Sequence, residues 1–534
     1  MTGSGLTVFT APSTSMRRRP DGSVLLSSDI PLGAYPSTIA TMFRSSAHAH
    51  PGRVLVAERE GDGWRTVTNA QARAAADAIG QSLLDRDPGG RPVMVLCGNS
   101  IEHLLLTLAA HTVGITVVPV SVAYSLQSSD HAKLRSLLEQ TEPFLVLAGD
   151  ADGFAPAIEL AGAAAEVVTP GGARPGTTPF QDLAGTAPTD EVERRLREQT
   201  PDTTAKILFT SGSTGAPKGV RTTNRMLCSN QRMIGQVWPF LAADPPVLLD
   251  WLPWSHTFFA AAALPQALWD RIERLADRHG ATATMSTAWG ASETAPAATS
   301  AHFASGRADC IGVPLPGVEI KLAPVGDKLE IRVKGPNVMP GYHRRPDLDP
   351  TAFDDEGFYR SGDAVRLIDE AVPERGLRFD GRIAEDFKLS TGTWVSAGTL
   401  RPALLSAAGG LLRDAVLTGH DSGYVGALAW LDPAQAARLA GAGDSEPGAA
   451  ALGAHPMVRD ALASALDRLN RGNGSSRRVE RLLLLDEPPS LDAGEITDKG
   501  YVNQRAVLDR RAALVAHLHT DPPPAEVISC PPAV

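Results

Sequence analysis

Short apolar runs recur through the first half of the chain with helical stretches between them, and this alternation limits the fold more than any other feature. The runs are "VMVLC" at 93–97, "FLVLA" at 144–148, "KILFT" at 206–210 and "VLLDWL" at 247–252. Each has the length and composition of a strand buried on both faces. The first precedes a helix beginning near Ile101 and the second an Ala-rich helix. Ahead of them, Thr68 and Gln71 form a capping box for "ARAAADAIGQSLL", whose apolar residues recur at helical spacing. The pattern predicts an α/β fold: a large N-terminal domain of parallel sheet with helices on both faces.

After about residue 312 the texture changes. "GVEIKL", "KLEIRVKG" and "GLRFDGR" read as short alternating strands of a small β-rich unit closing the large domain. Beyond "DGRIAEDFKLSTG" a mixed segment follows, with helices near 401–409, 456–470 and 503–517 and strands near 424–430 and 480–485. With 534 residues the chain exceeds one ordinary core. The expected division is a disordered tail (1–30), a large domain (31–381), a small mobile α+β domain (382–520) and a Pro-rich tail (521–534).

Composition removes several functional classes. A formal net charge of -10 argues against nucleic-acid binding, which needs clustered Lys and Arg. Arg17, Arg18 and Arg19 stand in a Ser/Thr/Pro-rich stretch with no apolar segment behind them, so they read as a solvated tail and not as a secretory signal. Cys97, Cys228, Cys310 and Cys530 are scattered without metal-ligand spacing, which fits reduced thiols and a cytoplasmic location. The uncharged run from Leu104 to Tyr124 is interrupted by His111, Gly114 and Pro119. It reads as a buried helix, a turn and a buried strand, and no integral membrane segment is expected.

One segment carries chemistry at once: "TSGSTGAPKGV", Thr210 to Val220. It fails the Walker pattern, because Pro217 precedes Lys218 and Gly219 follows it. Its physics still suits a polyphosphate. Gly212 and Gly215 permit close backbone approach, Ser211, Ser213 and Thr214 offer hydroxyls, and Lys218 supplies a point charge.

Read with four further stretches in order, this segment resembles the phosphate loop of the adenylate-forming superfamily, which includes acyl- and aryl-CoA synthetases, luciferases and peptide-synthetase adenylation domains. The stretches are "LPWSHTF" (252–258), "WGASETA" (289–295), "YRSGD" (359–363) and "DGRIAEDFK" (380–388). The likeness runs from about residue 35 to residue 515. It implies an ATP site built from Thr210, Ser211, Gly212, Ser213, Thr214, Gly215, Lys218, Trp289, Gly290, Asp363 and Arg382. Trp289 would lie beside adenine, and Asp363 would accept hydrogen bonds from the ribose. Glu293 would hold Mg²⁺, Ser292 would donate to the α-phosphate, and His256 would lie near the acyl site. In "GEITDKGYVNQR" (494–505), Lys499 occupies the place of the family's swinging lysine. Coenzyme A would be the acceptor, and the protein a monomer or homodimer.

Local departures narrow the resemblance. "WGASETAPAAT", "EDFKLSTGTWV" and "EITDKGYVNQRAVL" are similar to the feruloyl-CoA synthase branch, whose substrates are aromatic hydroxycinnamic acids. The hinge falls on Ala384, Glu385 and Asp386, in a stretch one residue longer than in most relatives. A larger departure is an absence. "HTF" at 256–258 runs almost directly into "AAAALPQALWD" (260–270), a segment similar to the start of the adenine wall. About two βα units, at roughly 30 residues each, are missing relative to the family. The expectation is a shortened large domain with an exposed sheet edge and an opened acid pocket. Alternatives to an active aryl-CoA synthetase are acyl transfer to a carrier protein or an amine, and a catalytically impaired relative that still binds ATP or AMP.

Overall fold

The two textures of the sequence become two sheets in the computed structural model. It describes residues 8–149, 152–171, 174–211, 217–243, 247–249, 252–255, 266–281, 284–441 and 448–530. The first sheet has seven strands, in the order Pro217–Thr223, Thr204–Ser211, Val117–Pro119, Val93–Leu96, Leu145–Ala148, Glu166–Thr169, Thr178–Pro179. All its pairings are parallel except the first. Alternate residues of the central strands enter opposite cores. Val93, Val95, Leu145 and Leu147 pack under the helices Asn69–Asp85 and Ile101–Val113. Met94, Leu96, Val146 and Ala148 pack under Ala132–Thr141 and Ala155–Gly162. Burial on both faces is why these strands read as unbroken apolar runs.

Local signals hold where they were read. The Thr68 hydroxyl accepts from the Gln71 amide, and the Gln71 side chain accepts from the Thr68 amide. The helix Ile101–Val113 starts at a Ser100 cap and ends on Gly114, at φ 75°, a conformation that glycine adopts without a Cβ clash. The uncharged run therefore resolves into helix, turn and buried strand. No helix among the described residues is long and apolar enough to cross a membrane.

The second sheet has nine strands and only antiparallel pairs, so the β-rich unit is larger than its sequence texture predicts. Two of its strands overturn the reading of residues 1–30 as a disordered tail. Thr14–Arg18 and Val24–Ser28 form a hairpin on its edge, with Leu26 opposite Ile320 and Val24 opposite Leu322. Val24 and Leu26 are buried, while Arg18 pairs with Glu370 at 3.1 Å and Arg19 with Glu356 at 2.8 Å. Two of the three arginines, Arg18 and Arg19, thus pair with acids more than 300 residues away, while Arg17 stays exposed.

Two further expectations fail. Residues 247–249 form no strand; Val247 is 99% exposed and Leu249 88%, so this apolar segment has no sheet to enter among the described residues. The Pro-rich tail from 521 contributes the strand Ile528–Ser529, which closes a four-stranded sheet beside Arg481–Leu484. Its register is fixed by burial of Ile528.

That sheet, with Leu412–Thr418 and Gly426–Leu431, belongs to a separate core drawn from residues 389–530. The junction with the nine-stranded sheet is tight. Lys328 donates to the Asp380 carbonyl at 2.8 Å and to Ser396 Oγ at 3.1 Å, and pairs with Asp386. Gly381, at φ 88°, faces Gly398, in the first turn of the helix Ala397–Ala407. A Cβ on Gly398 would stand 2.5 Å from Gly381 Cα. In an open helix Gly→Ala stabilises by about 0.5–1 kcal/mol. Here the clash is with backbone, so Gly398→Ala is expected to destabilise by about 1–3 kcal/mol. A lowered denaturant midpoint checks the sign.

Candidate active site

The strands Thr204–Ser211 and Pro217–Thr223 pair at one edge of the first sheet, with Thr210 opposite Lys218 and Ser211 opposite Pro217. Gly212, Ser213, Thr214 and Gly215 lie outside the described residues, as do the Ser211 side chain, His256 and Ala260–Leu264. Thr210 Oγ1 stands 3.5 Å from the Lys218 carbonyl. The Lys218 ammonium lies 5.6 Å from the centroid of the Tyr342 ring. Tyr342 is brought there by backbone: it bridges Val220, and the His343 amide donates to the Gly219 carbonyl at 2.7 Å.

Tyr342 also reaches the second sheet. Its hydroxyl donates to Glu293 Oε1 at 3.1 Å, and it is hydrogen-bonded to Tyr359. Burial first, and then the Glu293 charge, push the Tyr342 pKa well above its usual value, so the hydroxyl stays a donor. Glu293 is 7% exposed and sits with Ser292 in the single turn Ser292–Thr294, after the strand Ala288–Gly290. The turn is held by the Met339 amide on the Glu293 carbonyl and by Asn337 on the Thr294 carbonyl, at 2.8 and 2.9 Å. Gly290 is required here, since a Cβ would meet the Pro296 carbonyl at 1.8 Å.

Trp289, on the same strand, donates from Nε1 to Asp363 Oδ2 at 2.9 Å. Asp363 lies opposite Arg382 in the ladder, with Nε 3.6 Å from Oδ1. Burial raises the Asp363 pKa; Arg382 and Trp289 oppose the rise, and the charges of Glu293 and Glu330 add to it. Thus Lys218, Ser292, Glu293, Trp289, Gly290, Asp363 and Arg382 collect in one region, where cationic, acidic and hydrogen-bonding groups converge. Ahead of His256, the segment 252–255 is fixed by Asn99, which donates to the Leu252 carbonyl at 2.7 Å and accepts from the Trp254 amide at 2.9 Å.

Lys499 is exposed at the tip of a turn closed by Gly500 N–H on the Thr497 carbonyl, at 2.9 Å, and among the described residues no hydrogen bond or ion pair joins it to the Glu293–Asp363 group. Its hairpin is stiffened by Glu495, fully buried, which accepts from Arg511 at 2.7 and 2.9 Å, from Arg510 at 2.7 Å and from the Ser490 amide at 2.9 Å. Ala384 and Glu385 form the short turn Ile383–Glu385. The Glu385 carbonyl accepts from Gln504 at 3.2 Å, and Asp386, paired with Lys328, accepts from the Ala397 amide at 3.2 Å. Sequence reading missed Tyr342, Tyr359 and Glu495. Tyr342 stands in "GYHRRP", with no neighbouring group to mark it.

The family description "AMP-binding enzyme" matches residues 43–260 and 254–343. The chain is 26% identical over 471 residues to a probable non-canonical nonribosomal peptide synthetase, CymA, of Salinispora arenicola; the match covers 74% of this chain and only 6% of that protein. It is 23% identical to the long-chain-fatty-acid–CoA ligase FadD15 of Mycobacterium bovis, across 84% of this chain and 92% of the ligase. Among solved structures it is similar to the A domain of a carboxylic acid reductase from Segniliparus rugosus, in complex with AMP and a co-purified carboxylic acid (TM-score 0.62, 18% identity, 90% of this chain and 94% of that one). It is also similar to the O-succinylbenzoate coenzyme A synthetase of Bacillus subtilis in complex with AMP (TM-score 0.60, 16% identity, 88% and 98%). These likenesses establish an adenylate-forming α/β fold.

A raised carboxyl pKa carries a stability sign. Native Asp363 holds its proton to higher pH than the unfolded chain does, so stability falls as pH rises through that window and stays lower above it. Asp363→Asn removes this penalty and keeps an oxygen for Trp289 Nε1; Arg382, 67% exposed, returns to water. The variant is expected to melt at a higher temperature than the parent at neutral pH. The gain should vanish below the ordinary carboxylate range, as thermal scans across pH would record.

Proposed function

Because the chain belongs to the AMP-binding enzyme family, we propose that it uses ATP to activate an aromatic carboxylic acid of the hydroxycinnamic, ferulate-like kind, and passes the acyl group to coenzyme A. The observation that carries this reading is the convergence of Lys218, Glu293, Trp289, Asp363 and Arg382 from two sheets. The choice of acid rests on the likeness of the 289–299, 385–395 and 495–508 stretches to the feruloyl-CoA synthase branch.

In the first half-reaction the substrate carboxylate attacks the α-phosphorus of ATP; an acyl-adenylate forms and pyrophosphate leaves. Lys218 and the loop Thr210–Gly215 cradle the phosphates, Ser292 donates to the α-phosphate, and Asp363 takes the ribose hydroxyls with Arg382 beside it. Trp289 flanks the adenine, and His256 borders the acyl group. Glu293 fits a Mg²⁺ ligand. Tyr342 takes Oε1, Oε2 accepts no hydrogen bond among the described residues, and one carboxylate plus substrate phosphates is an ordinary Mg²⁺ donor set. When bound, the ion neutralises the triphosphate. Lys499 would contact the reacting carboxylate during adenylation; rotation at Ala384–Asp386 then admits coenzyme A, whose thiol displaces AMP.

The large domain is proposed to be shortened between Phe258 and Ala260. In support, the family match breaks into two overlapping pieces at 254–260, and apolar residues 247–249 stand in solvent. These observations favour a second reading, an AMP-binding relative with a weakened acid pocket. Acyl transfer to a carrier protein or an amine is a third, in keeping with a nonribosomal peptide synthetase among the similar proteins. Pyrophosphate release with ferulate, with and without coenzyme A, separates them. Release with both and a thioester product supports the ligase; release without thioester supports another acceptor; none with ferulate, but measurable ATP binding, supports the weakened relative. In an active chain, Lys499→Ala is expected to slow adenylation by about 10²-fold. Thioester formation from preformed acyl-adenylate should stay near the parent rate in single-turnover assays.

A further inference from the structure

The hairpin that carries Lys499 meets the rest of the molecule through a second carboxylate, Asp492. Its Oδ1 accepts from Ser128 Oγ at 2.6 Å, and its Oδ2 from Ser129 Oγ at 2.7 Å and from the Ser129 amide at 2.9 Å. Beside it, Lys133 donates to the Leu491 carbonyl at 2.5 Å, and Asp498, next to Lys499, is hydrogen-bonded to Tyr124. The polar large-domain partners of this group come from residues 124–133, just beyond Val117–Pro119 of the first sheet, and Leu491 and Ile496 also pack in one apolar core with Val118, Val120, Ile207 and Phe209.

We propose that Asp492 is a positioning residue that latches the Lys499 hairpin to the Ser128–Ser129 turn, and so holds the lysine in the orientation used for adenylation. The two carboxylates of the hairpin divide the work. Glu495, buried among Arg510, Arg511 and the Ser490 amide, fixes the hairpin to the end of the helix Gln504–Arg510. Asp492 fixes it to the Ser128–Ser129 turn. The segment between them is stiff: Glu495 N–H donates to the Ser490 carbonyl, Asn503 N–H to the Glu495 carbonyl, and Ile496 bridges Val502. Movement at Asp492 is therefore passed to Lys499.

Position decides which contact can let go. Glu495 has no access to water, so its bonds cannot be exchanged for hydration without a large penalty. Asp492 is half-buried and Ser129 exposed, so water can replace their bonds as the hairpin leaves. Burial works against the Asp492 charge, but the Ser128 and Ser129 donors, with Lys133 nearby, hold its pKa down to about 2. The latch is thus charged throughout the working pH range.

The proposal rests on the reading of Lys499 as the adenylation lysine, and its test has one arm that does not. Asp492→Asn is compared with the double variant Ser128→Ala, Ser129→Ala, which opens the latch from the other side if the first fails to fold. Both are expected to slow adenylation about tenfold through misplacement of the lysine. Thioester formation from preformed acyl-adenylate should be unchanged. Amide hydrogen exchange, which needs no turnover, should rise together in residues 124–133 and 490–499. Unaltered exchange in both variants, or an equal fall of both half-reactions, overturns the latch. If the parent chain forms no adenylate, the proposed function fails and exchange alone decides the latch.

Discussion

One hydrogen bond ties the two halves of the candidate site together: the Tyr342 hydroxyl on the buried Glu293 carboxylate. A buried carboxylate without a donor is costly, and a donor here must come from an element that also touches the phosphate strand. Tyr342 meets both demands, with its ring under Lys218 and its backbone bridged to Val220. Burial raises its pKa and so keeps the hydroxyl protonated. The antiparallel sheet then adds Asp363 and Arg382 by register alone, since the two residues face each other in adjacent strands. The geometry of the site is thus the geometry of two sheets meeting at a tyrosine.

Local features were legible in the sequence because their causes are local. The Thr68–Gln71 box, the Gly114 helix stop and the doubly buried strands each depend on residues a few positions apart. Trp289, Glu293 and Asp363 could be singled out only by the resemblance of the motifs that hold them, and the fold brings them into one region. Tyr342 could not, because its role exists only after residues 49 positions away fold beside it. Glu495 was hidden similarly, since its partners Arg510 and Arg511 read as an ordinary charged helix face.

The misreadings share one origin. Arg18 and Arg19 read as unpartnered because Glu370 and Glu356 are invisible to a local window. Residues 247–252 read as a strand because composition reports what a segment prefers, and not whether a sheet is present to receive it. Val247 and Leu249 lie in solvent despite their β propensity. Propensity proposes an element; a partner admits it.

The hairpin 14–28 has a consequence in time. In synthesis it precedes the strand it pairs with, Glu319–Val325, by about 300 residues. Val24 and Leu26, buried in the finished sheet, must pass that interval on an unpaired edge. The nascent chain therefore carries an adhesive segment through that interval, flanked by the three arginines, whose like charges keep neighbouring chains apart until the docking strand arrives.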